Sequence, residues 1–259
     1  MGIINVTPDS FYDGGKMDTS EAIIRYAGKM LHDGATFLDI GGYSSRPGAA
    51  DVSETEELQR VLPAIEALVN EFPEVIISID TFRSTIAQKA IAAGAAIVND
   101  ISGGRMDTEM IDIVAQLQVP YVMMHMRGNP RSMTALAQYE NVTREVLRYF
   151  SERIAIARKA GINDIVVDPG FGFAKTREQS FELLNNLELF QHLDLPFLVG
   201  ISRKSMIYKT LNVTPQEALN GTTALHGVAL LKGASILRVH DVKEAMESIS
   251  LLVKLKGSA

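Results

Sequence analysis

One phrase recurs along this chain: the end of a helical pattern, a glycine, then an apolar strand. It stands at Asp33-Gly34-Ala35, Ala93-Gly94-Ala95, Ala160-Gly161-Ile162 and Lys232-Gly233-Ala234. Glycine suits these places because the residue after a last helical turn adopts a left-handed conformation. A chain that passes repeatedly from helix through glycine into a buried strand builds βα units on a parallel sheet. Alternation of strands and helices, eight times over 259 residues, predicts an α/β fold, a closed (β/α)8 TIM barrel forming a single domain over residues 1–259. The competing architecture is a doubly wound open sheet, which shares the alternation and the right-handed crossovers.

Local signals place the elements. Gly2 to Asn5 reads as a first strand, followed by a long polar loop carrying Pro8, Gly14 and Gly15. Asp18 with Glu21, and Ser53 with Glu56, are capping pairs that open helices. Phe181, Leu184 and Leu187 share a helical stripe. Thr214-Pro215-Gln216-Glu217 predicts a helix over 218–231, with proline in its first turn.

The strands end alike. Ile165-Val166-Val167 stops at Asp168-Pro169-Gly170, Ile76-Ile77-Ser78-Ile79 at Asp80, and Ile97-Val98 at Asn99-Asp100. Leu38-Asp39-Ile40 runs into Gly41, Tyr121-Val122-Met123-Met124 into His125, Phe197 to Ile201 into Ser202-Arg203-Lys204, and Ile236-Leu237 into Arg238-Val239-His240. Each motif alone fits a turn. In a barrel, however, all of these polar ends meet on one face, which makes that face the candidate site.

Several function classes drop out. A net charge of -6 argues against a nucleic-acid surface. The absence of cysteine excludes disulfides and thiolate metal sites. No apolar run reaches a membrane span and no signal peptide precedes the first strand, so the expected location is cytoplasmic, with no membrane partner. The five histidines lack ligand spacing, which argues against a metal cage built by protein alone. Gly170-Phe171-Gly172-Phe173-Ala174-Lys175-Thr176 lacks the spacing of a phosphate-binding P-loop. What remains is Asp80, Asn99 and Asp168 beside Lys204, with Arg46, Arg238 and His240. Buried carboxylates can accept paired hydrogen bonds from an amidine-like edge of a heterocycle, Asn offers donor and acceptor, Lys meets a carbonyl oxygen, and the other cations suit a phosphate.

The longer motifs resemble the dihydropteroate synthase family, pterin-binding TIM barrels. They are Gly2-Ile3-Ile4-Asn5-Val6-Thr7-Pro8-Asp9-Ser10-Phe11, Gly42-Tyr43-Ser44-Ser45-Arg46-Pro47-Gly48-Ala49, Met124-His125-Met126-Arg127-Gly128-Asn129-Pro130, Asp168-Pro169-Gly170-Phe171-Gly172-Phe173, Ser202-Arg203-Lys204-Ser205 and Arg238-Val239-His240-Asp241. The resemblance implies a transferase of folate biosynthesis and a sulfonamide target, joining 6-hydroxymethyl-7,8-dihydropterin diphosphate to 4-aminobenzoate. By motif it assigns pterin binding to Asp80, Asn99, Met124, Asp168, Phe173 and Lys204. It assigns diphosphate to Asn5, Arg46, Arg238 and His240, with Asn5 acting through Mg²⁺. Ser45, Pro47, Phe173, Lys204 and Ser205 shape the aminobenzoate pocket, and catalysis falls to Asn5, Arg46, Asp80, Lys204, Arg238 and His240. The family resemblance also implies a homodimer through the late helices. The alternatives are a pterin-binding methyltransferase and a non-catalytic pterin-binding barrel. Two departures stand out. Tyr43 replaces a common Glu, and Met1 begins almost on the first strand where the family usually has a further segment, so a short start is expected to leave the barrel floor less covered.

Overall fold

A computed structural model describes residues 1–6, 20–44, 51–255 and 257. The elements run β1 (Gly2–Asn5), α1 (Ser20–His32), β2 (Phe37–Gly41), α2 (Glu54–Glu71), β3 (Ile76–Asp80), α3 (Ser84–Ala92), β4 (Ile97–Asp100), α4 (Met110–Leu117), β5 (Tyr121–Met124), α5 (Val142–Ala160), β6 (Ile165–Asp168), α6 (Arg177–Asn185), β7 (Leu198–Val199), α7 (Ser205–Leu211), α8 (Leu219–Leu231), β8 (Ile236–Leu237) and α9 (Val242–Leu255). Strands β1 to β6 form one parallel sheet in sequence order, and β7 pairs with β8 in parallel.

Two seams close the barrel. Val167 bridges Phe197 between β6 and β7, and Gly2 bridges Val239 between β8 and β1. At the second seam Ile3 N donates to Val239 O at 2.9 Å and Val239 N to Met1 O at 2.9 Å. The closed barrel, not the open sheet, is therefore the architecture. Its floor is filled by Met1, Ile97, Val122 and Leu198, which pack together at the N-terminal ends of the strands.

The repeated glycine phrase does what its chemistry requires. Gly94 has φ +110° and Gly161 φ +103°, and Gly34 and Gly233 turn the same way. The helix caps also form: Glu56 N donates to Ser53 Oγ at 3.2 Å. Asp18 lies outside the described residues. The helix predicted over 218–231 instead begins as a 3-10 turn at Gln216–Ala218, with Thr214 N and Oγ1 donating to Glu217 Oε2, before α8 proper. Likewise Leu187 falls beyond α6, in a 3-10 segment Leu187–Leu193. There Leu187, Phe190 and Leu193 recur every third residue, which suits three residues per turn, and the first two are buried.

At Gly94 an added Cβ would sit 2.9 Å from Val69 Cγ2, whereas at Gly161 nothing lies within 4 Å. Gly161→Ala should cost about 1–2 kcal/mol from backbone conformation alone. Gly94→Ala should cost more, because the contact with α2 adds to the same strain. Urea denaturation that ranks the two variants equally would show that the Val69 contact carries no weight.

Candidate active site

The C-terminal mouth of the barrel gathers the strand-end residues into two walls. Asp39 on β2, Asp80 ending β3, Asn99 on β4 and Asp168 ending β6 come from the large sheet. Lys204 and Arg238 follow β7 and β8, so the cations come from the small one. Arg238 crosses between them. Its Nε donates to Asp39 Oδ2 and its Nη2 to Asp80 Oδ2, both at 2.6 Å. Asn99 Nδ2 donates to the same Asp39 oxygen at 3.1 Å. Burial works against the Arg238 charge, yet Asp39 and Asp80 outweigh it and raise its pKa. Burial raises the Asp80 pKa too, with Arg238 opposing.

Asp168 is 5% exposed. Its Oδ1 accepts from Gly170 N at 2.8 Å, which fixes the carboxylate plane. Burial raises its pKa and Lys204 opposes the rise. Lys204 Nζ donates to Phe171 O at 2.7 Å and lies 4.8 Å from the centre of the Phe173 ring. Burial lowers the Lys204 pKa to about 8, although Asp168 holds it up. Ser205 is the first residue of α7, directly after Lys204.

The open point between the walls is marked by Gly200. A Cβ there would lie 3.8 Å from Lys204 Nζ, 3.9 Å from Asp168 Oδ2 and 3.9 Å from Arg238 Cβ. A Cβ on Gly41 would lie 3.5 Å from Asp80 Oδ2 and 3.6 Å from Asn5 Oδ1, so Asn5 joins the same mouth. Met124 is buried, and both it and half-buried Phe173 belong to an apolar cluster with Ile101, Met126, Met133 and Ala174. His240 Nδ1 is 3.0 Å from Ser202 Oγ. The structure thus brings together Asn5, Asp80, Asn99, Met124, Asp168, Phe173, Lys204 and Arg238, with Ser205 next to Lys204 in the chain and His240 paired to Ser202, whereas Ser45, Arg46 and Pro47 lie outside the described residues.

Sequence reasoning left out Asp39 and Gly200. The signal for Asp39 was present: a charged residue in mid-strand, fully buried between Leu38 and Ile40, needs a partner inside the barrel. For Gly200 there was none beyond a glycine within an apolar run.

Residues 1–240 match the family described as pterin binding enzyme. The chain is 46% identical over 254 residues to dihydropteroate synthase of Escherichia coli K12, covering 97% of this chain and 89% of that protein. The chain belongs to the dihydropteroate synthase family. Two solved structures agree. A Yersinia pestis dihydropteroate synthase in complex with a sulfonamide drug has a TM-score of 0.94 at 41% identity, covering 99% of this chain and 94% of that one. A Xanthomonas albilineans dihydropteroate synthase with 4-aminobenzoic acid has a TM-score of 0.92 at 40% identity, covering 100% and 93%. Among the described residues no helix is long and apolar enough to cross a membrane.

A methyl group at Gly200 meets its neighbours at ordinary contact distance, so Gly200→Ala should fold with almost unchanged stability. In this dihydropteroate synthase barrel it would nonetheless occupy space between Asp168 and Lys204. Overpacking of that kind costs about 1–3 kcal/mol, and calorimetry with a plain pterin should read it as at least a several-fold weaker affinity. Unchanged affinity would place the ligand elsewhere.

Proposed function

We infer that this chain condenses 6-hydroxymethyl-7,8-dihydropterin diphosphate with 4-aminobenzoate, giving 7,8-dihydropteroate and diphosphate. Membership of the dihydropteroate synthase family makes it a transferase of folate synthesis. The observation that carries the site assignment is the convergence of Asp168 Oδ2 and Lys204 Nζ on one open point in a largely buried mouth.

There the pterin's amino and ring N–H donors meet Asp168, whose Oδ2 faces that point while Oδ1 is held by Gly170 N. Lys204 donates to the ring carbonyl, and Asn99, tethered to Asp39, supplies the complementary edge. Asp80 accepts from the opposite side. Met124 and Phe173 provide apolar surface for the flat ring. Nη1 of Arg238 makes no hydrogen bond among the described residues, which leaves one side of its fork for the diphosphate beside His240. In the reaction the methylene carbon–oxygen bond breaks, diphosphate leaves with the electron pair, and the arylamine nitrogen forms the new bond and releases a proton. Fixed positive groups aimed at the departing oxygens favour that step. Phe173, Lys204 and Ser205 border the second pocket, and the family resemblance adds Ser45 and Pro47 to it and Arg46 to the diphosphate side. The Xanthomonas albilineans relative was solved with 4-aminobenzoic acid, which supports that acceptor here.

Magnesium suits this arrangement only as an ion that the diphosphate brings. Among the described residues no group of three or more acidic or histidine side chains could hold a metal. Asn5, a neutral amide oxygen at the mouth, is the kind of single protein ligand that a hard cation accepts when phosphate and water supply the rest. Bound there, the ion would neutralise charge on the leaving group.

A homodimer through the late helices accords with their apolar exposure. Leu211 of α7 (51%), Leu231 of α8 (53%), and Leu251 (72%) and Leu255 (71%) of α9 lie open. Sedimentation showing a monomer at micromolar concentration would overturn that assembly.

Incubation with the pterin diphosphate, aminobenzoate and Mg²⁺ should yield dihydropteroate and diphosphate in equal amounts. Absence of product would remove the assignment. Asp168→Asn exchanges an acceptor for a donor and should weaken pterin binding by about 2–5 kcal/mol, read by calorimetry.

The pH dependence follows from Lys204. Its pKa in the free protein is about 8, and a carbonyl acceptor favours the charged form, so binding raises that pKa. The Lys204 contribution to pterin affinity should therefore fall as pH rises through about 8, with a slope of up to one proton. Lys204→Met should bind weakly and lose that limb. An identical pH profile in the variant would assign the proton to another group.

A further inference from the structure

Lys175 ends the glycine-rich motif after β6, and the reaction as derived makes no use of it. It is 8% exposed, and its Nζ bonds the backbone of its own loop. Its Nζ lies 2.9 Å from His125 Nδ1, 3.0 Å from Gly170 O and 3.0 Å from Phe173 O, with His125 O further away at 3.4 Å. An ammonium has three protons and no acceptor. Three near acceptors use all of them, and in that arrangement His125 is neutral with its proton on Nε2. Burial, reinforced by the Lys175 charge, pushes the His125 pKa well down and favours that form. Burial also lowers the Lys175 pKa, against Asp168.

These bonds join two elements that border the mouth. His125 directly follows Met124 at the end of β5. Gly170 and Phe173 belong to the loop after β6, where Gly170 adopts φ +71° and any Cβ would fall 2.2 Å from His125 O. The two backbones are therefore in contact, with Lys175 pinning them from beneath. The β5 side is itself braced. The His125 ring stands edge-on to Tyr149 at 4.8 Å, and Tyr149 Oη donates toward Ser102 O at 2.9 Å and Met124 O at 3.1 Å. The upper face of the loop serves the site, since Gly170 N holds Asp168, Phe171 O accepts from Lys204, and the Phe173 ring lies under Lys204.

We propose that Lys175, through its neutral partner His125, is a positioning residue that sets the spacing between Met124 and the Gly170–Phe173 loop, and so the shape of the slot that receives the flat pterin ring. Neither residue touches the ligand. The inference rests on the pterin reading of the site. Its failure is distinguishable from failure of that reading, because the unaltered protein serves as the control for pterin binding.

The test uses Lys175→Met, which keeps the stem and removes the donor, and the double variant Lys175→Met/His125→Phe, which also removes the orphaned acceptor. Thermal midpoint, affinity for a plain pterin by calorimetry, and kcat and KM for each substrate are measured. The single variant should lose thermal stability and bind pterin at least about tenfold more weakly, since misplacing reacting groups by about 1 Å can cost on the order of a hundredfold. The double variant should regain stability, because no buried nitrogen is left unpaired, while its pterin affinity stays low. Recovery of both together, or a folded single variant that binds pterin within about twofold of the unaltered protein, overturns the proposal and leaves Lys175 a structural residue only. Should Lys175→Met fail to fold, two variants that retain Lys175 decide. His125→Gln keeps an acceptor and should preserve pterin affinity, whereas His125→Phe should weaken it. Equal affinity in those two overturns the proposal.

Discussion

The mouth of this barrel depends on one guanidinium. Arg238 stands at the end of β8 and reaches over β1 to bind carboxylates on β2 and β3. A buried ion pair is a weak source of net stability, because desolvation offsets much of the attraction. Removing one partner is another matter, since Asp39 is fully buried and would be left without its counter-ion. The bidentate fork therefore acts through geometry. It holds Asp39, and through Asp39 it orients Asn99. It also holds Asp80 through Oδ2. Oδ1 of Asp39 has no hydrogen-bond partner among the described residues, a cost that a purely structural core would not retain.

Much of the framework was legible because it rests on local chemistry. The glycine after a helix, the serine cap at Ser53 and the apolar strands that stop at polar residues all act within a few positions, and the structure shows each of them. The convergence of Asp80, Asn99, Asp168 and Lys204 was legible for a topological reason: in a closed parallel barrel every strand delivers its last residue to the same face. What escaped depends on distance along the chain. Asp39 and Arg238 are 199 positions apart, and no periodicity links them. The 3-10 segment at Leu187–Leu193 escaped because a stripe at spacing three reads as helix of either kind until the following residues are placed. Lys175 and His125 were visible only as parts of motifs, since their pairing requires two loops to touch.

The glycines at the mouth share a further logic. Gly170 lets two backbones approach, and Gly200 leaves space between charged groups. In both places the missing side chain is the feature used, once for contact and once for vacancy. Polar groups here are held by rigid neighbours, so the donors and acceptors are arranged before any ligand arrives, which lowers the reorganisation that binding and catalysis require.

The two-sheet construction gives that arrangement a mechanical side. The carboxylates ride on the six-stranded sheet and the cations follow the two short strands, with a single isolated bridge at each seam. A molecule that presents donors to one wall and acceptors to the other would span the same two arcs across their least laddered joints. Recognition and closure thus meet at one place: one of the two joints with the fewest ladder bonds is the one that Arg238 spans to Asp39 and Asp80.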